Sequence, residues 1–374
     1  MAQQARTGFR DICEHYERLI RTGKLKPGHL LPTEPDLAKQ HGVTRTTLRR
    51  AFAVLVRKGL VVKKPGQGTF IASKEELETR STGVIAVLTL GSAIRTRSEP
   101  NDEMWGVSSS GGSEHFQVLE GVTTTLASYG RMTRTYYVQR DQDEWPALGQ
   151  EIRKDGAAGI IAVGFELAAV DDVLSLGLPT VLVDSACEGR KTDAVQATNR
   201  EGMAEATRHL LRTTQGLPVF VGSQYYQTVN PHTERRDGFM DACRKDGRAV
   251  PDDHIFYAEI HVNGGREIAR DILRLSPLPQ GIVCSDDRVA MGIIDVLRNE
   301  GLSVPNEVSV IGYGGSLIGL MVIPTISTVS PDRLRMGQEA VHLLEKRLKT
   351  PGRRSREVRV PTKLVLRGST RRVP

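Results

Sequence analysis

Residues 44–71 read TRTTLRRAFAVLVRKGLVVKKPGQGTFI, which predicts one helix followed by two short strands. Thr44 is a candidate helix cap, and Gly59 ends the helix. The apolar residues of this helix repeat at i, i+3, i+4 and i+7 and therefore share one face: Leu48, Ala51, Phe52 and Leu55. Strand-like runs at 60–64 and 69–71 then flank the tetrapeptide PGQG, which is typical of a β-hairpin with a glycine-rich tip.

Two further helices precede this stretch. Residues 8–22 place apolar side chains at helical spacing, namely Phe9, Ile12, Tyr16, Leu19 and Ile20. KPG at 26–28 breaks that helix, and Thr33 opens a short helix around 35–40. A tight turn then leads into the helix described above. The order helix, helix, turn, helix, hairpin predicts a winged helix-turn-helix over residues 1–72.

The second helix of such a motif enters the major groove of DNA with its first residues at the base edges. Arg45 and Arg49 are four residues apart and share one face, and arginine suits bidentate contact with guanine. Lysines of the hairpin can neutralise phosphates, and its glycines allow close backbone approach. The predicted DNA-binding residues are Thr44, Arg45, Thr46, Thr47, Arg49, Lys63, Lys64, Gly66, Gln67 and Gly68. Alternatively, Arg49 or Arg50 pairs with a surface carboxylate, which we favour for Arg50.

Charge is unevenly distributed along the 374 residues, whose formal net charge is +7. Residues 1–82 carry 16 basic and 8 acidic side chains, whereas residues 83–352 have a net charge of −8. Residues 353–374 hold eight basic groups and one acid. A basic module before an acidic body is typical of nucleic-acid contact confined to one module, although a solvated basic face alone would give the same excess.

The body of the chain alternates between apolar strands and amphipathic helices. Strands are predicted at 84–90, 159–163, 180–183, 218–221, 281–284 and 308–312, and helices at 116–129, 200–211, 235–245, 265–275 and 288–300. This alternation predicts an α/β fold with parallel sheets. We interpret residues 73–82 as a linker and 83–374 as a two-lobed sensor domain. Residues 83–197 and about 305–331 are expected in the first lobe, and 198–304 with the C-terminal part in the second.

The N-terminal residues resemble the GntR-type winged-helix signature. The matching segments are GKLKPGHLLPTE at 23–34, LA at 37–38, GVTRTTLR at 42–49, Leu55, Gly59 and GQGTFI at 66–71. They fill nearly every position of a motif of about 55 residues. The resemblance implies DNA binding, with base contacts from Arg45 and Arg49.

The body resembles the LacI/GalR type of sensor, which is similar to periplasmic sugar-binding proteins. The matching segments include GVIAVL at 83–88, LPTVLVD at 178–184, RRDGF at 235–239, DDRVAMG at 286–292, GLSVP at 301–305, VSVIGY at 308–313, PTISTV at 324–329 and MGQEA at 336–340. A GntR-type head on a LacI-type body resembles the arabinose repressor type. An aminotransferase-like body would need nearly 500 residues, and an all-helical metal-binding body would lack the repeated strands.

The resemblance implies a small-molecule effector, possibly a sugar, between the two lobes. The family's arginine in R-x-x-G-[FY] and aspartate in N-D-x-x-A-x-G face the cleft, and they correspond to Arg235 and Asp287. Alternatively, Arg235 forms a salt bridge with Asp237 or Asp241 and has only a structural role. Further candidates are His115, Phe116, Ser185, Glu259 and His261. Tyr225, like Tyr226 beside it, either walls the cleft or packs a loop.

Four features depart from the family pattern, and two of them, at Asp286 and Gly314, leave the ligand class open. Residues 91–114 form a long connection that either covers the ligand or is disordered. Asp286 replaces the usual asparagine, and Gly314 replaces the usual aspartate. Residues 73–82 also show no counterpart of the LacI-type hinge helix.

Several classes of function find no support in the sequence. No apolar run is long enough for a membrane span, and the N-terminus lacks a signal core. The four cysteines follow no metal spacing, and no nucleotide-binding or hydrolase motif occurs. We therefore expect a cytoplasmic homodimer without cofactor or catalytic residues, a ligand-responsive repressor that binds an inverted repeat of double-stranded DNA. The alternatives are a DNA-binding protein whose sensor no longer binds a ligand, and a sugar-metabolising enzyme fused to a DNA-binding head.

Overall fold

The computed structural model describes residues 8–57, 60–64, 68–72, 83–90, 112–138, 145–224 and 230–372. Two compact units divide the chain. The first contains the N-terminal residues as far as Ile85 together with 125–133 and 152–158, and the second contains the remainder. The predicted linker at 73–82 and nearly all of the long connection at 91–114 lie outside the described residues.

The N-terminal residues form the predicted winged helix-turn-helix. Its elements are α1 (Phe9–Arg21), β1 (Leu30–Leu31), α2 (Glu34–Gln40), α3 (Arg45–Arg57), β2 (Val61–Lys64) and β3 (Gly68–Ile71). The three strands make one antiparallel sheet in the order β1-β3-β2. The short strand β1 is an addition to the predicted pattern.

The apolar face of α3 holds this domain together. Leu48, Ala51, Phe52 and Leu55 are each at most 1% exposed. The ring of Phe52 meets the edge of Tyr16 on α1, with 5.2 Å between ring centres. Burial of one such aromatic side chain stabilises the fold by about 2 to 3 kcal/mol. The helical periodicity therefore predicted both the element and its buried side.

The rest of the chain builds two six-stranded sheets, which we call the first-lobe and second-lobe sheets. The first-lobe sheet has the order β14-β8-β7-β6-β4-β5. Its strands are β4 (Val84–Leu90), β5 (Met132–Val138), β6 (Ala157–Val163), β7 (Thr180–Val183), β8 (Asp193–Ala197) and β14 (Glu357–Val360). The connecting helices are α4 (Gly112–Ser128), α5 (Trp145–Lys154), α6 (Leu167–Ser175) and α11 (Arg333–Lys349). Helix α11 packs on β7 and β8.

The second-lobe sheet has the order β10-β9-β11-β12-β13-β15. Its strands are β9 (Val219–Ser223), β10 (Ile255–Ala258), β11 (Gly281–Cys284), β12 (Ser309–Tyr313), β13 (Ser327–Pro331) and β15 (Thr362–Val365). Neighbours pair in parallel except for β13 with β15. The helices are α7 (Asn199–Thr213), α8 (Asn230–Lys245), α9 (Val262–Ile272) and α10 (Asp287–Asn299). The α/β architecture with parallel sheets is confirmed.

The expected division between the lobes is wrong for residues 305–331. Strands β12 and β13 lie in the second-lobe sheet, because β12 pairs with β11 and then with β13. The chain crosses between the sheets near residues 198, 332 and 361, so α11 and β14 return to the first lobe. Thr198 and Thr362 join two of these crossings, with Thr362 N donating to Thr198 Oγ1 at 2.9 Å.

Glycines allow two helix pairs to touch through their backbones. A Cβ added at Gly292 on α10 would lie 2.0 Å from the Val262 carbonyl oxygen of α9. A Cβ added at Gly121 on α4 would lie 2.1 Å from the Leu334 carbonyl oxygen of α11. Gly292 belongs to the segment DDRVAMG that resembles the LacI type, so part of that resemblance reflects close helix packing.

Candidate functional site

The start of α3 carries the first group of predicted site residues. Thr44 caps the helix, because its Oγ1 accepts a hydrogen bond from Thr47 N at 3.2 Å. Arg45 and Thr46 follow on the first turn and are exposed. The guanidinium of Arg45 makes no ion pair with any described residue. It is therefore available for an outside partner.

Arg49, rather than Arg50, forms an ion pair with a described carboxylate on this domain. Arg49 Nε donates to Glu34 Oε2 of α2 at 2.8 Å, although the Arg49 side chain remains 68% exposed. Arg50 lies over the ring of Phe9, with its guanidinium carbon 4.4 Å from the ring centre. The ion pair favoured for Arg50 is thus formed by Arg49, because Glu34 at the start of α2 faces Arg49.

The hairpin carries the remaining predicted DNA-binding residues. Lys63 and Lys64 end strand β2, but the structure describes only their backbone. Gly66 and Gln67 lie outside the described residues. Gly68 begins β3 with a φ of 115°, and a Cβ there would lie 2.8 Å from Leu30 Cδ1. A side chain at position 68 is therefore doubly disfavoured.

Arg235 of α8 is the most buried cation among the effector candidates, with 6% of its surface exposed. Its Nε donates to Asn199 Oδ1 and its Nη1 to the Ser285 carbonyl oxygen, both at 3.1 Å. Its guanidinium carbon lies 3.7 Å from the ring centre of Tyr313. All these described partners are neutral.

The alternative that Arg235 forms a salt bridge is not realised. Asp237 pairs with Arg236, and Asp241 pairs with Arg200 and Arg244. No carboxylate among the described residues pairs with Arg235, and a buried cation in that state favours a ligand that brings hydroxyls or negative charge.

Tyr313 and Asn199 complete the setting of Arg235, and the sequence did not single them out as site residues. The Tyr313 hydroxyl donates to Asn199 Oδ1 at 2.5 Å. Burial raises the pKa of Tyr313 to about 12, with Asp184 adding to the rise and Arg235 opposing it. The phenol therefore stays neutral at physiological pH. Tyr313 lies within the VSVIGY segment and is the last residue of β12. Its position at a strand end could have marked it as a site residue from the sequence.

Asp287 begins α10 and is fully buried. Its Oδ2 accepts hydrogen bonds from Ser316 N at 2.8 Å and Ser316 Oγ at 3.0 Å. A Cβ at Gly312 would lie 2.2 Å from Asp287 Oδ1. Its Oδ2 thus holds the loop that follows β12, and the direct ligand contact expected of Asp287 stays a prediction.

The first-lobe candidates occupy different settings. Ser185 is 1% exposed, and its hydroxyl accepts from Phe165 N and donates to the Val183 carbonyl oxygen, both at 2.9 Å. His115 Nδ1 lies 3.0 Å from Thr89 Oγ1, while Phe116 is 67% exposed. The Ser185 hydroxyl therefore has two backbone partners within its own lobe, and Phe116 presents an exposed apolar ring.

The remaining second-lobe candidates lie between β10 and α9. His261 Nε2 and Glu259 Oε2 are 2.5 Å apart, and His261 Nδ1 accepts from Gly264 N at 2.8 Å. His261 is thus the cap of α9, and its imidazole orients the Glu259 carboxylate. Tyr225 and its neighbour Tyr226 lie outside the described residues.

Polar groups that the sequence analysis missed also follow the strand ends. Asp184, directly after β7, adopts a φ of 47°, which is uncommon for a residue with a side chain. Among the buried polar atoms without a hydrogen-bond partner in the described part of the chain, three lie at the ends of strands: Asp184 Oδ1, Ser223 Oγ and Ser285 Oγ. Open α/β sheets bind ligands beyond the carboxyl ends of their strands, and this rule would have selected these residues.

Asp286, which replaces the family's asparagine, caps the helix α10 that follows it. It forms a two-pronged ion pair with Arg288, with Nε–Oδ1 and Nη2–Oδ2 distances of 2.9 Å. Its Oδ1 also accepts from Arg288 N at 2.8 Å and caps α10. The pair is largely buried, so Asp286 is already neutralised by a partner from its own chain.

An ion pair between Glu234 and Arg359 joins the two lobes close to Arg235. Arg359 of β14 donates through Nη1 to both carboxylate oxygens of Glu234 on α8, at 2.7 and 2.8 Å. Asn199 Nδ2 also reaches Glu234 Oε2 at 3.4 Å. Burial raises the pKa of Glu234, and the hydrogen bond from Arg359 opposes that rise. The ends of both sheets therefore meet at the residues around Arg235.

Two other kinds of site were searched for among the described residues. No cluster of three or more His, Cys, Asp or Glu side chains there has the arrangement of a metal site. None of the helices described is both long enough and apolar enough to cross a membrane.

Two family models match separate parts of the chain. Residues 10–71 match the gntR family of bacterial regulatory proteins. Residues 207–370 match the periplasmic binding protein-like domain. The first match coincides with the winged helix, and the second covers the second-lobe sheet with α11 and β14.

Curated relatives extend the similarity to most of the chain. The arabinose metabolism transcriptional repressor of Geobacillus stearothermophilus is 22% identical over 340 residues, covering 87% of this chain and 86% of that protein. The transcriptional repressor PurR of Glaesserella parasuis is 28% identical over 201 residues, covering 52% of this chain. That second alignment spans little more than half of the relative, 58%.

Solved structures share the fold. A complex of the transcriptional regulator CelR with cellobiose matches with a TM-score of 0.66 and 20% identity, covering 91% of this chain and all of that one. A LacI-family regulator from Enterococcus faecium with bound ribose matches with a TM-score of 0.61 and 22% identity, covering 77% of this chain and 98% of that one. The chain thus joins a segment that matches the gntR family of bacterial regulatory proteins to one that matches the periplasmic binding protein-like domain, and it shares the fold of these solved regulators.

Proposed function

We propose that this protein is a transcription repressor whose affinity for operator DNA falls when a small sugar-like effector binds between its lobes. The observation that carries the proposal is the buried Arg235, stacked on Tyr313 and without a carboxylate partner, in a chain that begins with a DNA-reading winged helix. The repressors among its relatives support the same function. We assign residues 1–72 to the DNA-binding domain, 73–82 to the linker and 83–374 to the sensor.

The DNA interface consists of the start of α3 and the hairpin. Arg45 and Thr46 are exposed on the first turn of α3, where side chains of a recognition helix meet base edges. Arg49 reads DNA once it leaves Glu34, and Thr44 and Thr47 set the start of the helix. Lysines 63 and 64, with residues 66–68, supply phosphate contacts.

The effector site is built around Arg235. Its guanidinium contributes donors, the exposed Phe116 contributes an apolar wall, and Asp287 acts by holding the Ser316 loop in place. His115, Ser185, Tyr225, Glu259 and His261 complete the proposed lining. The effectors named with the solved relatives, cellobiose and ribose, support a carbohydrate.

We further propose a cytoplasmic homodimer that binds an inverted repeat. Four large apolar side chains of the second lobe are between 52% and 78% exposed: Leu317, Leu320, Met321 and Ile323. A patch of this kind on a folded protein fits burial against a second copy. Two copies bring two recognition helices, so the two-fold symmetry of the protein would be matched by the DNA. Light scattering and footprinting test both statements, and a monomer on a single half-site contradicts them.

Selection from a random double-stranded DNA pool, followed by an effector screen, tests the function as a whole. We expect the full-length protein to enrich one inverted repeat. A panel of mono- and disaccharides should then raise the thermal transition for at least one sugar, and that sugar should weaken operator binding.

Each outcome separates the proposed function from its alternatives. Operator binding without any stabilising sugar favours a sensor that has lost its ligand. Turnover of a stabilising sugar favours an enzyme. Failure to enrich any sequence overturns the proposal.

A further inference from the structure

The segment KRLKTPGRRSR at residues 346–356 holds six cations and no acid, in a body that is otherwise acidic. It comprises the end of α11 and the loop that leads into β14. Four of its cations are exposed: Lys346, Lys349, Arg354 and Arg356. We call these four residues the basic edge.

A buried carboxylate holds the loop in one conformation. Asp193, at the start of β8, has no exposed surface. It accepts hydrogen bonds from Arg347 Nε at 2.9 Å, Arg353 Nη2 at 2.5 Å and Arg356 N at 2.8 Å. Arg347 Nη1 also donates to the carbonyl oxygens of Pro351 and Arg353, at 3.2 and 2.9 Å.

The two arginines turned inward leave the others facing outward. Arg347 and Arg353 share the single carboxylate of Asp193, and their other partners are neutral carbonyl oxygens. Their two positive charges therefore exceed the one negative charge of Asp193. The side chains of Arg354 and Arg356 form no ion pair with any described residue. The result is a positively charged surface on a loop whose backbone is already ordered. Preorganisation of this kind lowers the entropy cost of binding a ligand.

The basic edge lies at the end of the sheet where the strands begin. The first residues of β4, β5 and β6 cluster in one compact unit, so these strands begin at the same edge. Strands β6, β7, β8 and β14 are parallel to one another, and β14 therefore begins there too. Strand β4 is the first strand of this sheet after the winged helix in sequence. Four strand spacings, about 19 Å, separate β4 from β14.

We propose that the basic edge is a second DNA contact, in which Lys346, Lys349, Arg354 and Arg356 bind backbone phosphates beyond the bases read by the winged helix. The inference rests on the proposed DNA binding. Phosphate contacts add affinity without sequence preference, and each one adds close to one unit to the salt dependence of binding. The effector cleft takes no part in this contact, because it lies at the opposite ends of the strands.

A salt titration of operator affinity with the full-length Arg354→Gln/Arg356→Gln variant tests the proposal. We expect the slope of log affinity against log salt to fall by about two units, and the affinity to fall roughly tenfold at 0.1 M salt. The preference for operator over random DNA should stay the same. The matched control is Arg208→Gln/Arg212→Gln, which removes two exposed charges from α7, and it should keep the wild-type slope.

The outcomes distinguish the inference from the proposed function. If the first variant keeps the wild-type slope while the wild type binds DNA normally, the DNA contact of the basic edge is overturned and the proposed function stands. An acidic protein or free phosphate would then be the ligand to test at the basic edge. Equal losses in both double variants also overturn it, because general charge would then be the cause. Absence of DNA binding by the wild type overturns both proposals. Should the double variant unfold, Arg354→Gln alone is expected to lower the slope by about one unit.

Discussion

The guanidinium carbon of Arg235 lies 3.7 Å from the centre of the Tyr313 ring, although 78 residues separate the two in sequence. The Tyr313 hydroxyl and Arg235 Nε both bind Asn199 Oδ1, so three side chains from α7, α8 and β12 hold each other in place. Stacking on a neutral ring orients the cation without neutralising it. In the function proposed above, its remaining N–H donors bind the effector.

Replacing Arg235 by glutamine should abolish the response to effector. Arg235→Gln keeps a side chain that can reach Asn199 but removes the charge and the fork of donors. We expect operator affinity within about twofold of wild type and at least a hundredfold weaker binding of the stabilising sugar in thermal shift. Arg244→Gln on the same helix, which is 74% exposed, is the control. Unchanged sugar affinity in Arg235→Gln would remove Arg235 from the site.

The Glu234–Arg359 pair should contribute to stability as a coupled unit. Arg359→Gln leaves the largely buried Glu234 carboxylate without its cation, so we expect a loss of about 1 to 2 kcal/mol, reduced by the partial exposure of Arg359. Glu234→Gln in the same chain should restore part of that loss. A double-mutant cycle by urea denaturation measures the coupling energy. If the two changes in the free energy of unfolding are strictly additive, the pair contributes no coupling to stability.

Arg45 and Lys64 should differ in what they contribute to DNA binding. Arg45→Ala is expected to cost roughly 1 to 3 kcal/mol on the operator and much less on random DNA, because a base contact is lost. Lys64→Ala should weaken both DNAs alike and lower the salt slope by about one unit. Competition gel shifts with the two DNAs measure this. Equal losses on both DNAs for Arg45→Ala contradict its base-reading role.

Gly292→Ala should destabilise the second lobe. The new methyl would lie 2.0 Å from the Val262 carbonyl oxygen, so α9 and α10 must separate. Overpacking of this kind costs about 1 to 3 kcal/mol. Gly352→Ala is the matched control, since no heavy atom lies within 4 Å of its added Cβ. Urea midpoints that are equal for the two variants would contradict the close helix contact.

His232 should make stability depend on pH. Burial lowers its pKa well below the usual value, and Arg235 and Arg288 add to that effect. In the unfolded chain the imidazole of His232 is protonated below about pH 6.5, whereas in the folded chain it is protonated only at lower pH. The free energy of unfolding therefore falls as the pH drops below about 6.5. The free-energy difference between wild type and His232→Gln should therefore change by up to about 1.4 kcal/mol per unit below pH 6.5. Parallel stability curves would contradict the burial of a neutral imidazole.

The sequence by itself determined the kinds of element and their order. Periodicity along α3 predicted its buried face, the PGQG tip predicted the hairpin, and alternating strands and helices predicted parallel sheets. These features depend on neighbours within about ten residues, and local sterics and burial decide them. Arg235 became a candidate through the resemblance of RRDGF at 235–239 to a family motif, and its contact with a ligand stays a proposal.

Only the tertiary structure decided which distant residues meet. It placed β12 and β13 in the second lobe, gave Arg49 the Glu34 carboxylate, buried Asp287 against Ser316 and set Tyr313 beneath Arg235. Spacing in sequence carries no information on these partners, because the chain crosses between the sheets three times. Each contact arises from the packing of whole helices and strands, and the side chains at the strand ends then settle with whichever partner that packing brings within reach.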